Sequence, residues 1–247
     1  MTQLRIASIN IERSKHLHRV ETFLKTIKPD VLCLQELCAK DIPFIEDLIG
    51  NKLHYAPMCL HPAEVELDTI GIGLISWTNL EDVSTTYYHG TGQNIREIEF
   101  IEDRGHRMAD NNSVDNAIIA GTCQGFRIAT THLNVTRKGE ASAFQLASAA
   151  KLIKVAEAEA QTYGGILLCG DFNAPRGNAT FSLLAEHFID GVPAHYTTSI
   201  DGSLHRAGHI ELMVDGLFHT PSYQLQNAKL HTGVSDHCAL TTTLLKA

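Results

Sequence analysis

The 247-residue sequence contains no Cys-x-x-Cys pair, no internal repeat, no Pro/Gly/Ser-rich linker and no apolar run long enough to span a bilayer. Each absence narrows the reading. Without a linker or a break in composition there is no seam between halves, so one domain over residues 1–247 is expected, a length that two-sheet domains reach undivided. Paired cysteines or histidines at zinc spacing are missing as well, which argues against a structural zinc site. Basic residues are outnumbered, 20 Lys and Arg against 28 Asp and Glu, for a formal charge of −8. With no lysine-rich tail or basic-aromatic stripe, the chain is poorly suited to gripping long nucleic acids, which need many phosphates neutralised together.

Of the six cysteines, Cys33, Cys169 and Cys238 lie in or beside apolar strand-like segments and read as small core residues of a reducing compartment. The opening residues lack the basic-then-apolar layout of a secretory signal. A cytoplasmic location without a membrane span is therefore expected.

What the chain has is a succession of short apolar segments. Residues 4–9 alternate and end on Asn10. A helical pattern follows through Leu17, Val20, Leu24 and Ile27 until Pro29, and residues 31–34 make a buried strand running into Gln35 and Glu36. A short helix is predicted over 41–49. Strands are predicted over 70–77, 94–101, 116–122, 126–133, 166–169, 210–218, 225–231 and 238–245. Residues 103–115 read as a polar loop. The longest helix is predicted from Glu140 to about Gln161, ended by Gly164-Gly165, and another helix over 179–187. Many strands with few helices imply an α+β fold of two packed sheets with helices outside.

Several strands end abruptly on a carboxylate, an amide or an imidazole: Asn10, Glu36, His132, Asp171, Asp215 and Asp236-His237. Asp or Asn at one strand end is ordinary turn chemistry. Glu36 and His132 are not turn residues, and several carboxylates beside buried strands are costly unless a cation or hydrogen bonds offset them. Hard oxygen donors dominate the set, so Mg²⁺, or alternatively Mn²⁺, fits better than Zn²⁺. Twelve of the 14 histidines, His16, His61 and His205 among them, show no ligand spacing and read as surface or packing residues.

Five blocks carry a resemblance. Leu4 to Asn10, Pro29 to Glu36, Thr131-His132-Leu133, Gly170-Asp171-Phe172-Asn173 and Ser235-Asp236-His237 resemble, in order, the signature blocks of the endonuclease/exonuclease/phosphatase superfamily. The resemblance implies a four-layer α/β/β/α sandwich of two mixed β-sheets and a Mg²⁺-dependent phosphoesterase. It implies that Asn10, Glu36 and Asp236 surround the metal, that Asp171 and Asn173 hold the attacking water with Asp171 as base, and that His237, oriented by Asp215, contacts the phosphate. His132 would be a second phosphate contact, a histidine similar to that of the DNase I and phosphatase branches. The block around Asp215 departs from the family, with Met213 and Gly216 where an arginine and a tyrosine are usual. Trp77 likewise replaces a usual arginine.

A phosphoester substrate follows, either a small phosphoester or a nucleic-acid end. The alternatives are a DNA repair or degradative nuclease and an inactive binding module of the same fold. The second is disfavoured because every implied metal and water residue is present. Arg104, Arg107, Arg137, Lys138 and Arg176 are candidates for the mouth of the site, with a solvated surface as their plainer reading.

Overall fold

The computed structural model describes residues 2–62 and 67–247. In chain order its elements are β1 (Gln3–Asn10), α1 (Leu17–Ile27), β2 (Val31–Cys38), α2 (Ile42–Ile49), β3 (His54–Pro62), β4 (Leu67–Ser76), β5 (Glu81–His89), β6 (Phe100–Asp103) and β7 (His106–Ala109). These are followed by β8 (Asn116–Cys123), β9 (Phe126–His132), α3 (Ala143–Tyr163), β10 (Leu167–Asp171), α4 (Ala179–His187), β11 (Ile189–Asp190), β12 (Asp215–His219), β13 (Tyr223–His231) and β14 (Ala239–Lys246).

Two mixed six-stranded sheets result, ordered β13-β14-β1-β2-β4-β3 and β11-β12-β10-β9-β8-β5, with β6-β7 as a separate hairpin. Strand periodicity sorts their side chains into layers. Leu4 and Ile6 of β1, Val31 and Cys33 of β2, Ile128 of β9, and Leu167 and Cys169 of β10 meet between the sheets. Their outward neighbours Ala7, Ile9, Leu32 and Leu34 pack under Val20, Leu24 and Ile45 of α1 and α2. Ala129 and Leu168 pack under Leu152, Ile153 and Leu184 of α3 and α4.

Local signals set the helix ends. Lys28 takes a left-handed conformation and its N–H closes α1 onto the Leu24 carbonyl before Pro29. The Ser142 and Asn178 side chains accept the backbone N–H groups of Gln145 and Phe181 at the starts of α3 and α4. Among the described residues, no helix is long and apolar enough to cross a membrane. All six cysteines are buried free thiols.

The strand assignments differ from expectation at the sheet edges. Of residues 94–101, only Phe100 and Ile101 lie in a strand, as the start of β6, and the rest meets β3 at a bridge between Leu60 and Glu97. The polar stretch 103–115 is not all loop, because β7 lies in it and pairs with β6. Of residues 210–218, only those from Asp215 onward are in strand β12. β3 and β5 were not expected at all. β3 carries Pro57 and Pro62, and β5 is polar and half-exposed, so neither shows the buried pattern of an inner strand.

Candidate active site

Parallel pairing puts the carboxyl ends of β1 and β2 side by side, with Asn10 opposite Gln35. The same holds for β9 and β10, with His132 opposite Asp171, while antiparallel β12 sets Asp215 beside Asp171. Ser235 to Cys238 precede β14, which runs antiparallel to β1 with Leu240 opposite Ser8. The turn carrying Asp236 and His237 therefore arrives at the same edge. Along the layer between the sheets, side chains turn from apolar to polar at this edge: Leu4, Ile6, Ser8, Asn10 in β1; Ile128, Thr130, His132 in β9; Leu167, Cys169, Asp171 in β10. Gln35 forms the floor, donating to Thr130 Oγ1 across the sheets at 2.9 Å.

Alternation alone would aim Glu36 away from this layer. A bulge between Leu34 and Leu37 in the pairing of β2 with β4, together with φ +53° at Glu36, turns its side chain inward. The amide of Asn10 then spans the cleft, donating to Glu36 Oε1 at 3.2 Å and to Asp171 Oδ2 at 3.1 Å. The Asn10 Oδ1 atom accepts the Glu12 N–H.

On the opposite wall, Asp171 is buried, and its Oδ1 accepts the Asn173 N–H at 2.8 Å. Gly170 is needed beside it, since a Cβ there would meet the Thr131 carbonyl oxygen at 2.1 Å. Asn173 is left-handed, a conformation Asn tolerates, and its Nδ2 lies 3.1 Å from His132 Nε2 and 3.0 Å from the Leu133 carbonyl oxygen. His237 Nδ1 lies 2.8 Å from Asp215 Oδ2 and 3.8 Å from Asp171 Oδ2. Burial opposes its charge, but the carboxylates of Asp215, Asp171 and Asp236 outweigh that and hold the imidazole pKa well above its ordinary value.

Asp236 belongs to a contrasting group. Burial, with the negative charges of Glu12 and Glu36, pushes its carboxyl up to about 6 despite His237. Its one side-chain hydrogen bond among the described residues comes from Ser235 Oγ. Asp171, Asp215 and His237 also place ligand atoms within 4.8 Å of one another. In that trio the Asp215 to His237 contact has the length of an ordinary hydrogen bond, whereas Glu36 and Asp236 gather charge with no cation hydrogen-bonded to either among the described residues.

The eight side chains singled out from the sequence thus lie along one edge and form a nearly continuous network. Others shape it without having been expected. Ser199 Oγ accepts the N–H groups of Val214 and Asp215, while Ser199 O accepts that of Cys238 and the Asp201 N–H reaches Asp236 O. The segment containing Ser199 and Asp201 therefore ties Asp215 to Asp236 and His237. Gln145, buried at the start of α3, donates to the Asn134 and Asn173 carbonyl oxygens. Neither residue sits in a motif-like block, so only the fold reveals them.

Glu12, Arg13, Lys15 and His16 also gather at this edge. Lys15 and His16 both contact the Glu12 carboxylate, and Arg13 Nη1 reaches His61. His16 and His61 are thus part of the cleft surroundings rather than scattered surface residues. A charged run starting two residues after Asn10 was the available signal. Arg176 is neither a mouth residue nor a free surface cation: it holds Asp190 at 2.7 Å and the carbonyl oxygens of Val192 and Tyr196. Arg104 and Arg137 pair with Glu140.

Residues 7–237 match the family model described as the Endonuclease/Exonuclease/phosphatase family. No curated protein sequence gives a significant match. Solved structures are similar over nearly the whole chain. An endonuclease/exonuclease/phosphatase family protein from Bacteroides thetaiotaomicron superposes with TM-score 0.69 at 13% identity, covering 100% of this chain and 98% of the other. The human Nocturnin catalytic domain with bound sulfate gives 0.67 at 18%, covering 99% and 95%. A Bacteroides thetaiotaomicron mannosyl-6-phosphatase gives 0.67 at 12%, covering 98% and 99%. At these identities the likeness is one of fold.

Proposed function

The chain belongs to the endonuclease/exonuclease/phosphatase family, and from that premise we propose that it is a Mg²⁺-dependent hydrolase of a compact phosphoester, acting by attack of water on phosphorus. One observation carries the reading: a His237–Asp215 pair at 2.8 Å faces Asp171 on one wall of a cleft whose other wall concentrates uncompensated carboxylate charge.

The donor set fits a hard divalent cation. Glu36 and Asp236 would hold it, with Asn10 beside it fixing Glu36, and oxygen donors of this kind favour Mg²⁺ or Mn²⁺. When bound, the ion withdraws charge from a non-bridging phosphate oxygen. Asp171 is assigned as the base, its two oxygens oriented by Asn173 and Asn10 so that a remaining lone pair takes the water proton. Asp215 occupies Nδ1 of His237, which leaves Nε2 to donate to the phosphoryl oxygen as charge develops. His132, its Nε2 beside the Asn173 amide, would contact the phosphate from the other side.

The net charge of −8 favours a small phosphoester or a short nucleic-acid end over long duplex DNA, and the fold likeness to a mannosyl-6-phosphatase supports the same preference. The test is a panel of sugar phosphates, nucleotides, short oligonucleotides and plasmid DNA, assayed with and without Mg²⁺ at several salt concentrations. Metal-dependent hydrolysis of a compact ester, with a shallow salt dependence, is expected. Efficient nicking of plasmid that collapses as salt rises would replace this reading with a nuclease.

A further inference from the structure

Arg13 stands immediately beyond the cluster of carboxylates. Its backbone N–H donates to the Glu36 carbonyl oxygen at 3.1 Å, and it has φ +64°, so the chain here doubles back against the strand end that carries Glu36. The guanidinium makes one well-formed contact, Nη1 to His61 Nε2 at 3.2 Å. His61 Nδ1 lies 2.8 Å from the Pro62 carbonyl oxygen, an acceptor only, so the ring proton is on Nδ1 and Nε2 is left to accept from Arg13. A neutral imidazole thus orients the guanidinium without neutralising it.

Among the described residues, the nearest carboxylate, Glu12, is shared with two other basic side chains. Glu12 is held by Lys15 on one oxygen and by His16 at 3.0 Å on the other, while Arg13 Nη2 lies 3.6 Å away, too far for a hydrogen bond. Among the described residues, the buried Arg13 Nε has no hydrogen-bond partner. A buried donor left unmade is costly, and a guanidinium offers several parallel donors that match a phosphate oxygen pair. The Arg13 N–H bonds the Glu36 carbonyl and His61 is close enough to feel the Glu36 charge, so this cation, loosely paired among the described residues, adjoins the proposed ion position.

We propose that Arg13, oriented by His61, binds a second anionic group of the substrate, distinct from the phosphate that is cleaved, and that the substrate is therefore a phosphoester bearing a further phosphate. The inference rests on the proposed phosphoester chemistry for its biological sense, but its test does not depend on turnover.

Two probes with non-hydrolysable P–C bonds separate the groups: methylphosphonate, with one phosphonate, and methylenediphosphonate, with two. Their dissociation constants are measured by calorimetry in the same excess of Mg²⁺ for the wild type, Arg13→Gln and Arg13→Lys. The wild type is expected to bind the diphosphonate about 10-fold or more tightly, the worth of one charge-assisted contact. Arg13→Gln should reduce that preference to about 2-fold or less with methylphosphonate affinity unchanged, and Arg13→Lys should retain an intermediate preference. A wild type with no preference overturns the proposal whether or not the variants fold. So does an equal loss for both probes, which would make Arg13 a contact to the cleaved phosphate itself. Intact discrimination in a protein that hydrolyses no phosphoester would sink the hydrolase reading while leaving this subsite standing.

Discussion

Two of the places where the molecule buries charge are built differently. At the end of the second sheet away from the cleft, fully buried Arg127 engages all three of its guanidinium nitrogens. Nε and Nη2 hold Glu159, Nη1 holds the Asp82 carbonyl and Thr122 Oγ1, and Nη2 also reaches Ser84 Oγ, with the Tyr163 ring 3.9 Å from the guanidinium carbon. In the cleft, Glu36, Asp236 and Glu12 crowd together, and Asp236 answers with a carboxyl pushed up to about 6. The first cluster is closed and holds α3 against β5. The second is open, and its excess charge points to something that arrives from solution.

The largest expected effect breaks the closed cluster. Arg127→Met strands Glu159 without its cation and should cost roughly 3–5 kcal/mol of stability, read by denaturant unfolding. Turnover per folded molecule should not change, and added Mg²⁺ should not specifically rescue the variant. A drop in kcat without a stability loss would erase the distinction between the two regions.

In the open region, His237→Ala should lower kcat by roughly 10²-fold with a smaller change in KM, because the imidazole is proposed to act on developing charge. A change confined to KM would make His237 a binding residue. Stability measured without metal should fall less than in Arg127→Met.

Glu36→Gln sharpens the contrast from the other side. Removing one of the crowded carboxylates should leave the metal-free protein as stable as the wild type or slightly more so, while Mg²⁺ affinity falls by about 10-fold or more, near 1.4 kcal/mol. Thermal unfolding titrated with Mg²⁺ reads both quantities at once. An unchanged Mg²⁺ response would move the ion away from Glu36.

Ser199→Ala should have the smallest effect, about 1 kcal/mol of stability for an acceptor taken from two buried N–H groups. A several-fold loss of kcat with KM preserved should accompany it if Ser199 positions Asp215, and Ser199→Thr, which keeps the hydroxyl, should restore most of it. Equal rates in the wild type and the alanine variant would leave Ser199 a purely structural tie.

Legibility in the sequence followed burial. Inner strands such as β1, β2, β9 and β10 carry buried apolar residues in their first half and polar ones toward the cleft, so both the strand and the polar stretch on which the site is built stand out. The edge strands β3 and β5 lack that contrast because each has one side open to polar surroundings and β3 tolerates prolines. Residues 94–99 resemble a strand in sequence but meet β3 at a single bridge, and only Phe100 and Ile101 beyond them join β6. Glu36 was identifiable by type, yet its inward aim depends on a bulge and a positive φ that periodicity does not encode. Arg13 and His61 are 48 residues apart in sequence; only the pairing of β3 at the sheet edge brings them together.

The hydrogen bonds from Asn10 to Asp171 and from Gln35 to Thr130 cross from one sheet to the other. The cleft therefore straddles a seam, with the carboxylates proposed to hold the ion on one side and the proposed base on the other. Their separation is a dimension of the core, set by how thickly Cys33, Cys169 and their apolar neighbours fill the space between the sheets. Core volume in this fold is consequently expected to bear on the proposed reaction: a methyl group added between the sheets below the cleft should shift the two walls relative to each other, at some cost in stability as well.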